Sequence, residues 1–108
     1  MDKKIVETLK EFKIALGTIG IRVERVILFG SYATGNSREG SDIDVVIISE
    51  NFNGMNLLER LEAIGLALAK GRIMEPIEAV GYTMKEFNSK EQGTFVSDEI
   101  KTKGIEIT

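Results

Sequence analysis

The sequence contains no cysteine and no histidine among its 108 residues. Without cysteine, a disulfide framework, a thiolate metal site and a cysteine nucleophile are excluded. Without histidine, the usual general base and the commonest ligand of transition metals are missing as well. Any metal must therefore be held by oxygen atoms, which favours magnesium, manganese or calcium. Any proton transfer must use a carboxylate, a lysine, a tyrosine or water.

Further absences narrow the class of protein. The net charge is -3 and the only basic block is Lys3-Lys4, so a long nucleic acid is not an expected partner. No apolar run reaches the length of a membrane span, and a charged amphipathic segment stands where a secretory signal would lie. We therefore expect a cytoplasmic protein with no membrane partner. The length and the hydrophobic content of 43% predict one domain, residues 1–108, with a single core.

Periodic apolar residues predict two long helices. A helix is expected over residues 2–19, with Asp2 as its N-cap, because apolar residues recur at intervals of three and four: Ile5, Leu9, Phe12, Leu16 and Ile19. A second helix is expected over residues 55–70 from the stripe Leu57, Leu58, Leu61, Ile64 and Leu68. Gly71 is a suitable end for this helix.

Three apolar segments, residues 23–29, 43–48 and 73–82, predict buried strands. Pro76, the only proline, places the start of the third strand at an edge or entrance. Thr83 and Glu86 fit a capping box that opens a short helix. Gly93 is expected to end that helix, and Ser97 can cap a last helix that ends at Gly104. The order helix, strand, strand, helix, strand, helix, helix predicts a small α/β (α+β) domain with a mixed sheet of about three strands.

The chemistry is concentrated in residues 28–48, "LFGSYATGNSREGSDIDVVII". Residues two apart in a strand point to the same face, so Asp42 and Asp44 project together, with backbones roughly 6.6 Å apart. Two such acids can hold hard cations, and cation pairs about 3.5–4 Å apart serve in-line attack at phosphorus. Gly30 lets the backbone approach a ligand, and Ser31 can bind phosphate through its hydroxyl and through N–H groups of a following helical turn.

Each half of this pattern also has an ordinary interpretation. A Gly-Ser pair alone is usually a turn, and Asp-x-Asp alone is usually a solvated entrance to a strand. Their combination at two apolar strand ends, about a dozen residues apart in the sequence, favours a site for a nucleoside triphosphate with its magnesium.

The same stretch resembles the nucleotidyltransferase superfamily that includes DNA polymerase beta and kanamycin nucleotidyltransferase. The shared pattern is an apolar strand, Gly-Ser, a spacer with a further glycine, and Asp-x-Asp in an apolar strand. The minimal nucleotidyltransferases of prokaryotes, which are stand-alone catalytic palms of about this length, resemble this chain along nearly its whole length, including "GYTMKEF" after the third strand. The resemblance implies a nucleotidyltransferase palm fold.

The family also has a third carboxylate on a later strand, for which the candidates here are Glu75 and Glu78. Glu78 is the better match because "IEAVGYT" lies within the apolar strand segment, whereas Glu75 precedes Pro76. A glutamate reaches one methylene further than the aspartate typical of the family. A second departure is Thr34, where many relatives have an arginine, which leaves Arg38 as the nearby candidate for a phosphate contact.

By resemblance, the reaction is the transfer of a nucleoside monophosphate, with AMP from ATP as the expected case, to an acceptor hydroxyl. Asp42, Asp44 and Glu78 would hold Mg²⁺ or Mn²⁺, and Gly30 and Ser31 would hold the β- and γ-phosphates. Minimal relatives are commonly encoded beside a HEPN-domain protein, and some act as antitoxins that adenylylate it, so such a partner is expected here.

Three alternatives stay open. The chain can be a non-catalytic antitoxin module that binds nucleotide or partner with the same fold. An antibiotic-modifying nucleotidyltransferase is less compatible, because no second domain is available to hold a sugar. A plain α/β domain whose acids bind nothing is the third. A homodimer suits a domain of this size, although Phe87, Phe95 and Ile100 fit a core better than an interface.

Overall fold

The computed structural model describes residues 2–89, 100 and 103–107. In these ranges the elements, in chain order, are α1 (Lys3–Thr18), β1 (Arg25–Phe29), α2 (Ser31–Thr34), β2 (Ile43–Ile48), a 3₁₀ turn (Glu50–Phe52), α3 (Leu57–Lys70), β3 (Ile77–Tyr82), α4 (Met84–Phe87) and β4 (Ile105–Ile107). Within the described ranges, no helix has both the length and the apolar character needed to cross a membrane.

The strands form one mixed sheet in the order β3-β2-β1-β4. β1 runs antiparallel to both β2 and β4, whereas β2 and β3 are parallel. This confirms the mixed α/β architecture, and the sheet has four strands where about three were expected, because β4 adds one. β4 has only three residues, which are too few to show an apolar pattern, and its middle residue, Glu106, is charged. An ion pair with Arg25 on β1, Nη2 to Oε1 at 2.6 Å, helps to hold this short strand at the sheet edge.

The predicted caps and strand ends agree with the structure after small shifts. The Asp2 side chain accepts a hydrogen bond from the Lys4 N–H at 2.9 Å, and Gly71 caps α3. β3 begins at Ile77 rather than at residue 73, because Pro76 has no N–H to donate to a ladder. The Pro76 carbonyl still accepts from the Ile43 N–H at 2.8 Å, which aligns the start of β3 with the start of β2. Gly93, Phe95 and Ser97, and with them most of the predicted last helix, lie outside the described residues.

Two hydrophobic clusters lie on opposite faces of the sheet. The larger one packs α1 and α3 against Val45, Ile47 and their neighbours. The smaller one, on the other face, consists of Ile27, Phe29, Val46, Ile48, Phe87 and Ile100. Phe87 and Ile100 are therefore core residues, as expected. β2 is buried on both faces, which explains its almost unbroken apolar sequence.

The predicted leucine stripe of α3 is only partly buried. Leu57 and Leu58 are 69% and 63% exposed, and Leu61 is 49% exposed. Ile64 and Ala67 are the apolar residues of this helix that reach the core. The charged residue Arg60 is also buried, one helical turn before Ile64.

Arg60 joins four segments through its guanidinium. Its nitrogen atoms donate to the carbonyls of Phe52 at 2.9 Å, Met55 at 3.0 Å and Gly81 at 3.0 Å. They also donate to both carboxylate oxygens of Glu86, at 2.7 and 2.9 Å. Bidentate, charge-assisted bonds of this kind are among the stronger ones in proteins. They attach α3 to the 3₁₀ turn, to the end of β3 and to α4.

The Arg60–Glu86 ion pair predicts a pH dependence of stability. Hydrogen bonds from Arg60 lower the pKa of Glu86 from 4.5 to about 2. Its stabilisation is therefore complete above about pH 4.5 and is lost as the pH falls towards 2. Since the Glu86 side chain is 42% exposed, Glu86→Gln should lower the free energy of unfolding at pH 7 by only about 0.5–1 kcal/mol. Urea unfolding between pH 6 and pH 3 measures both effects.

Glutamine keeps the capping box with Thr83, so Glu86→Gln removes the charge and little else. Glu62→Gln, an exposed change on α3, is the matched control and should retain the wild-type profile. A Glu86→Gln variant whose stability falls with acidity as steeply as that of the wild type would contradict the role of this pair.

Candidate functional site

The candidate acids lie at the end of the sheet where β1 stops and β2 and β3 begin. Phe29, the last residue of β1, is paired with Asp44, and Asp44 is paired on its other side with Glu78. Asp42 precedes β2 by one residue. The register of three adjacent strands therefore brings the Gly30 turn, the Asp-x-Asp pair and Glu78 to one place.

Strand alternation separates Glu78 from Glu75. Glu78 lies directly opposite Asp44 in the parallel ladder, so both side chains point to the same face, where a proton on one carboxyl group can form a hydrogen bond to the other. Glu75, three residues earlier, lies against a cavity on the other face together with Ile43. The structure thus brings Glu78, and not Glu75, next to the two aspartates.

The three carboxylates interact electrostatically. The charge of Asp42 is the main cause that raises the pKa of Glu78, and a hydrogen bond with Asp44 and the charge of Asp44 add to it. Burial raises the pKa of Asp44, the Glu78 hydrogen bond lowers this pKa, and the Asp42 charge raises it again. Both net shifts are upwards, so these groups favour folding at low pH and oppose it as the pH rises through their raised pKa values. A bound cation would remove this repulsion.

The donor atoms suit a hard divalent cation, because all of them are carboxylate oxygens. Across residues 2–89, 100 and 103–107, no group of three or more acidic side chains is already arranged closely enough to hold an ion by itself. Magnesium generally keeps several waters and uses one or two carboxylates together with substrate phosphates. The site therefore fits a metal that arrives with a triphosphate better than a permanently enclosed ion.

Gly30 is in close contact with Asp44. Its φ of 72° is in the left-handed region, which favours glycine. A Cβ at this position would lie 3.2 Å from Cγ of Asp44 and would overlap Oδ2. The sequence predicted that the backbone at Gly30 comes close to a ligand, and the structure shows a close approach of Gly30 to the Asp44 side chain. No sequence pattern indicated this contact.

Ser31 begins α2, the short helix after this turn. The N–H groups of Ala33 and Thr34 are bonded to the Gly30 carbonyl at 3.1 and 3.2 Å. The N–H groups of Ser31 and Tyr32 lie in the first turn of α2, where a helix provides no internal acceptor, so they can donate to an anion. The Thr34 hydroxyl donates to the Gly30 carbonyl at 3.3 Å and stabilises the turn.

Arg38 lies in the loop between α2 and β2. Its N–H donates to the Ser41 hydroxyl at 2.8 Å, which shapes the loop. Its exposed side chain lies along the same cavity as Lys4 and Glu75. The structure therefore does not group Arg38 with the residues that touch Asp44.

Comparisons with known proteins identify the family. A family model described as a nucleotidyltransferase domain matches residues 3–106. The chain belongs to the nucleotidyltransferase domain family. It is therefore a transferase, as the resemblance of residues 28–48 implied, and the minimal nucleotidyltransferase palm is confirmed as its fold.

Two curated proteins of Methanocaldococcus jannaschii, both named as candidate protein adenylyltransferases, are similar to this nucleotidyltransferase. MJ0141 is 32% identical over 107 residues, which cover 96% of this chain and 99% of that protein. MJ0604 is 44% identical over 45 residues, which cover 41% of this chain and 45% of that protein.

Two solved structures share the fold. A candidate nucleotidyltransferase from Sulfolobus solfataricus superposes with a TM-score of 0.62 at 21% identity, covering 83% of this chain and 85% of its own. A chain of a toxin-antitoxin crystal structure with AMP-PNP superposes with a TM-score of 0.61 at 17% identity, covering 92% of this chain and 71% of its own. At these identities the likeness concerns the fold alone.

Two glycine variants test the contact between Gly30 and Asp44. Gly30→Ala and Gly35→Ala both place a Cβ on a residue with positive φ, at 72° and 79°. Among the described residues, no atom beyond the chain neighbours of Gly35 lies within 4 Å of that position, so its variant should lose only about 1–2 kcal/mol of stability from backbone strain. Gly30→Ala should lose more, because its backbone, at φ 72° and ψ -152°, has a conformation that is nearly restricted to glycine, and because its Cβ also displaces the Asp44 carboxylate. Urea unfolding and magnesium-dependent ATP binding measure the two effects.

If nucleotide binding weakens equally in the folded Gly30→Ala and Gly35→Ala variants, the proximity of Gly30 to Asp44 has no role in the site. Selective loss in Gly30→Ala is the expected result.

Proposed function

We propose that this nucleotidyltransferase transfers AMP from ATP to a hydroxyl group of a protein acceptor in a reaction that requires Mg²⁺ or Mn²⁺. The observation that carries the proposal is the pairing of Asp44 with Glu78, beside Asp42 and against Gly30, at one end of the sheet. The names of the two Methanocaldococcus relatives support a protein acceptor, and the AMP-PNP complex of the structural neighbour supports an adenine nucleotide.

In the proposed arrangement, Asp42, Asp44 and Glu78 hold the metal. Gly30 and Ser31 would bind the β- and γ-phosphates through the turn and the N–H groups at the start of α2. The acceptor oxygen forms a bond to the α-phosphorus, the bond to the β-phosphate oxygen breaks, and pyrophosphate leaves. Mg²⁺, when bound, supplies Lewis acidity and charge neutralisation at the phosphates.

Glu78 is the proposed acceptor of the hydroxyl proton. It lies opposite Asp44 at the same end of the sheet, so its carboxylate would be close to an acceptor hydroxyl that is positioned at the metal. It is also exposed, which lets an acceptor reach it. Glu78 lies on β3, at the edge of the sheet, so the acceptor is proposed to approach from this edge.

The acceptor is proposed to be a HEPN-domain protein, with the chain acting as an antitoxin in the cytoplasm and residues 1–108 forming its one catalytic domain. The toxin-antitoxin assembly of the structural neighbour and the acidic net charge of -3 support a protein partner rather than a long nucleic acid. The proposal also includes a homodimer of this chain. Light scattering measures the molar mass that tests it.

The proposal is tested by incubating the chain with a HEPN-domain protein, Mg²⁺ and ATP labelled at the α-phosphate. The label should appear on the HEPN-domain protein. Asp44→Asn should reduce the transfer at least about 100-fold, because transition-state stabilisation of several kcal/mol depends on the metal. Glu7→Gln, an exposed change on α1, should leave the rate unaltered.

The same variants distinguish catalysis from inhibition by contact. If the chain transfers no label but neutralises its partner, and Asp44→Asn neutralises equally well, it is a non-catalytic module and the proposed reaction is wrong.

A further inference from the structure

A cavity of about 430 Å³ lies at the same end of the sheet as the three carboxylates, but on the face that packs against α1. Ser41 and Ile43 line it, whereas Asp42 and Asp44 alternate with them along the chain and point to the other face. The cavity and the carboxylate site therefore stand back to back across the start of β2. Its volume is within the range of small-ligand sites.

Glu75 lines this cavity and has one unpaired carboxylate oxygen. Its Oε2 is buried and has no hydrogen-bond partner within the described residues. Native structures seldom leave a buried carboxylate oxygen without a donor, and an exception calls for an explanation. The proposed reaction gives Glu75 no role, since Glu78 takes the place beside Asp44.

The walls of the cavity favour a cationic ligand with an apolar stem. Ile5, Ile43 and Pro76 provide apolar surface, and Tyr32 adds an aromatic ring. Three acidic residues and two basic residues line the cavity, which gives a net charge of -1: Asp2, Glu39 and Glu75 against Lys4 and Arg38. A guanidinium can donate two parallel N–H bonds to one carboxylate and can stack on an aromatic ring.

We propose that this cavity binds a basic side chain, arginine or lysine, of the polypeptide acceptor, and that Glu75 is its ion-pair partner. The inference rests on the proposed function, in that the acceptor is a protein. The last torsion of a glutamate is soft, so the carboxyl group can turn Oε2 towards a bidentate donor.

The position of the cavity determines how many residues separate the basic residue from the modified hydroxyl in the acceptor sequence. An extended peptide advances about 3.3 Å per residue, so it crosses the end of the sheet within a few residues. The acceptor hydroxyl therefore lies a few residues from the lysine or arginine in the acceptor sequence. Glu75 is a positioning residue, because it holds the acceptor and does not touch the reacting atoms.

The test uses N-acetyl-arginine amide as the probe and backbone amide NMR of the whole chain, without ATP or metal. The probe should shift the amides of Ser41, Ile43 and Glu75 in a saturable manner. N-acetyl-citrulline amide has the same shape without the charge and should bind at least about 10-fold more weakly, as expected for the loss of a charge-assisted pair.

Glu75→Gln and Glu78→Gln form a matched pair, because the same isosteric change is made on either side of the sheet. Glu75→Gln should weaken binding of the arginine probe at least about 10-fold and leave magnesium-dependent ATP binding unaltered. Glu78→Gln should weaken magnesium-dependent ATP binding and leave binding of the arginine probe unaltered. Amide dispersion in the spectra verifies that both variants are folded.

The inference is overturned if the arginine probe does not shift the cavity residues, if citrulline binds equally well, or if Glu75→Gln binds the probe like the wild type. Binding of AMP in the cavity in place of the arginine probe would also overturn it. Failure of the proposed function gives a different result. The wild type would then show no magnesium-dependent ATP binding, irrespective of whether it binds the arginine probe.

Discussion

The parallel pairing of β2 with β3 is the constraint on which the site depends. It places Glu78 opposite Asp44 on one strand pair, although the two residues are far apart in the sequence. The backbone ladder imposes this proximity at an electrostatic cost, because the charges of Asp42 and Asp44 raise the pKa of Glu78. The fold therefore tolerates a local repulsion that a cation can relieve, which is typical of a functional site rather than of a structural ion pair.

The two faces of the sheet divide the remaining roles. One face buries most of the core under α1 and α3 and thereby fixes β2, which is covered on both sides. The other face carries the carboxylates at its open end and a smaller apolar cluster further along. Arg60 joins α3 to the end of β3 and to α4, so that the strand carrying Glu78 is anchored at the end opposite the site. Rigid support of this kind is what a preorganised site requires.

Much of this arrangement could be predicted from the sequence, because the decisive residues lie in strongly patterned segments. Asp42 and Asp44 precede or begin an apolar strand, and Gly30 follows another, so local patterns sufficed to pair them. The preference for Glu78 over Glu75 came from a family resemblance, and the strand register now gives it a geometric reason.

Other features depend on contacts between distant segments and have no local signal. β4 is held by pairing with β1 and has no apolar period of its own. The burial of Arg60 has no local signal, since its partner Glu86 is 26 positions away and the capping box indicates a role for Glu86 alone. The contact between Gly30 and Asp44 likewise exists only once the strands are paired.

The most direct test of the account is calorimetry of ATP binding with and without magnesium, on the wild type and on the double variant Asp42→Asn/Asp44→Asn. The account predicts binding by the wild type that requires magnesium and is lost in the double variant. A folded wild type that does not bind ATP with magnesium, or a double variant that binds it equally well, would contradict it.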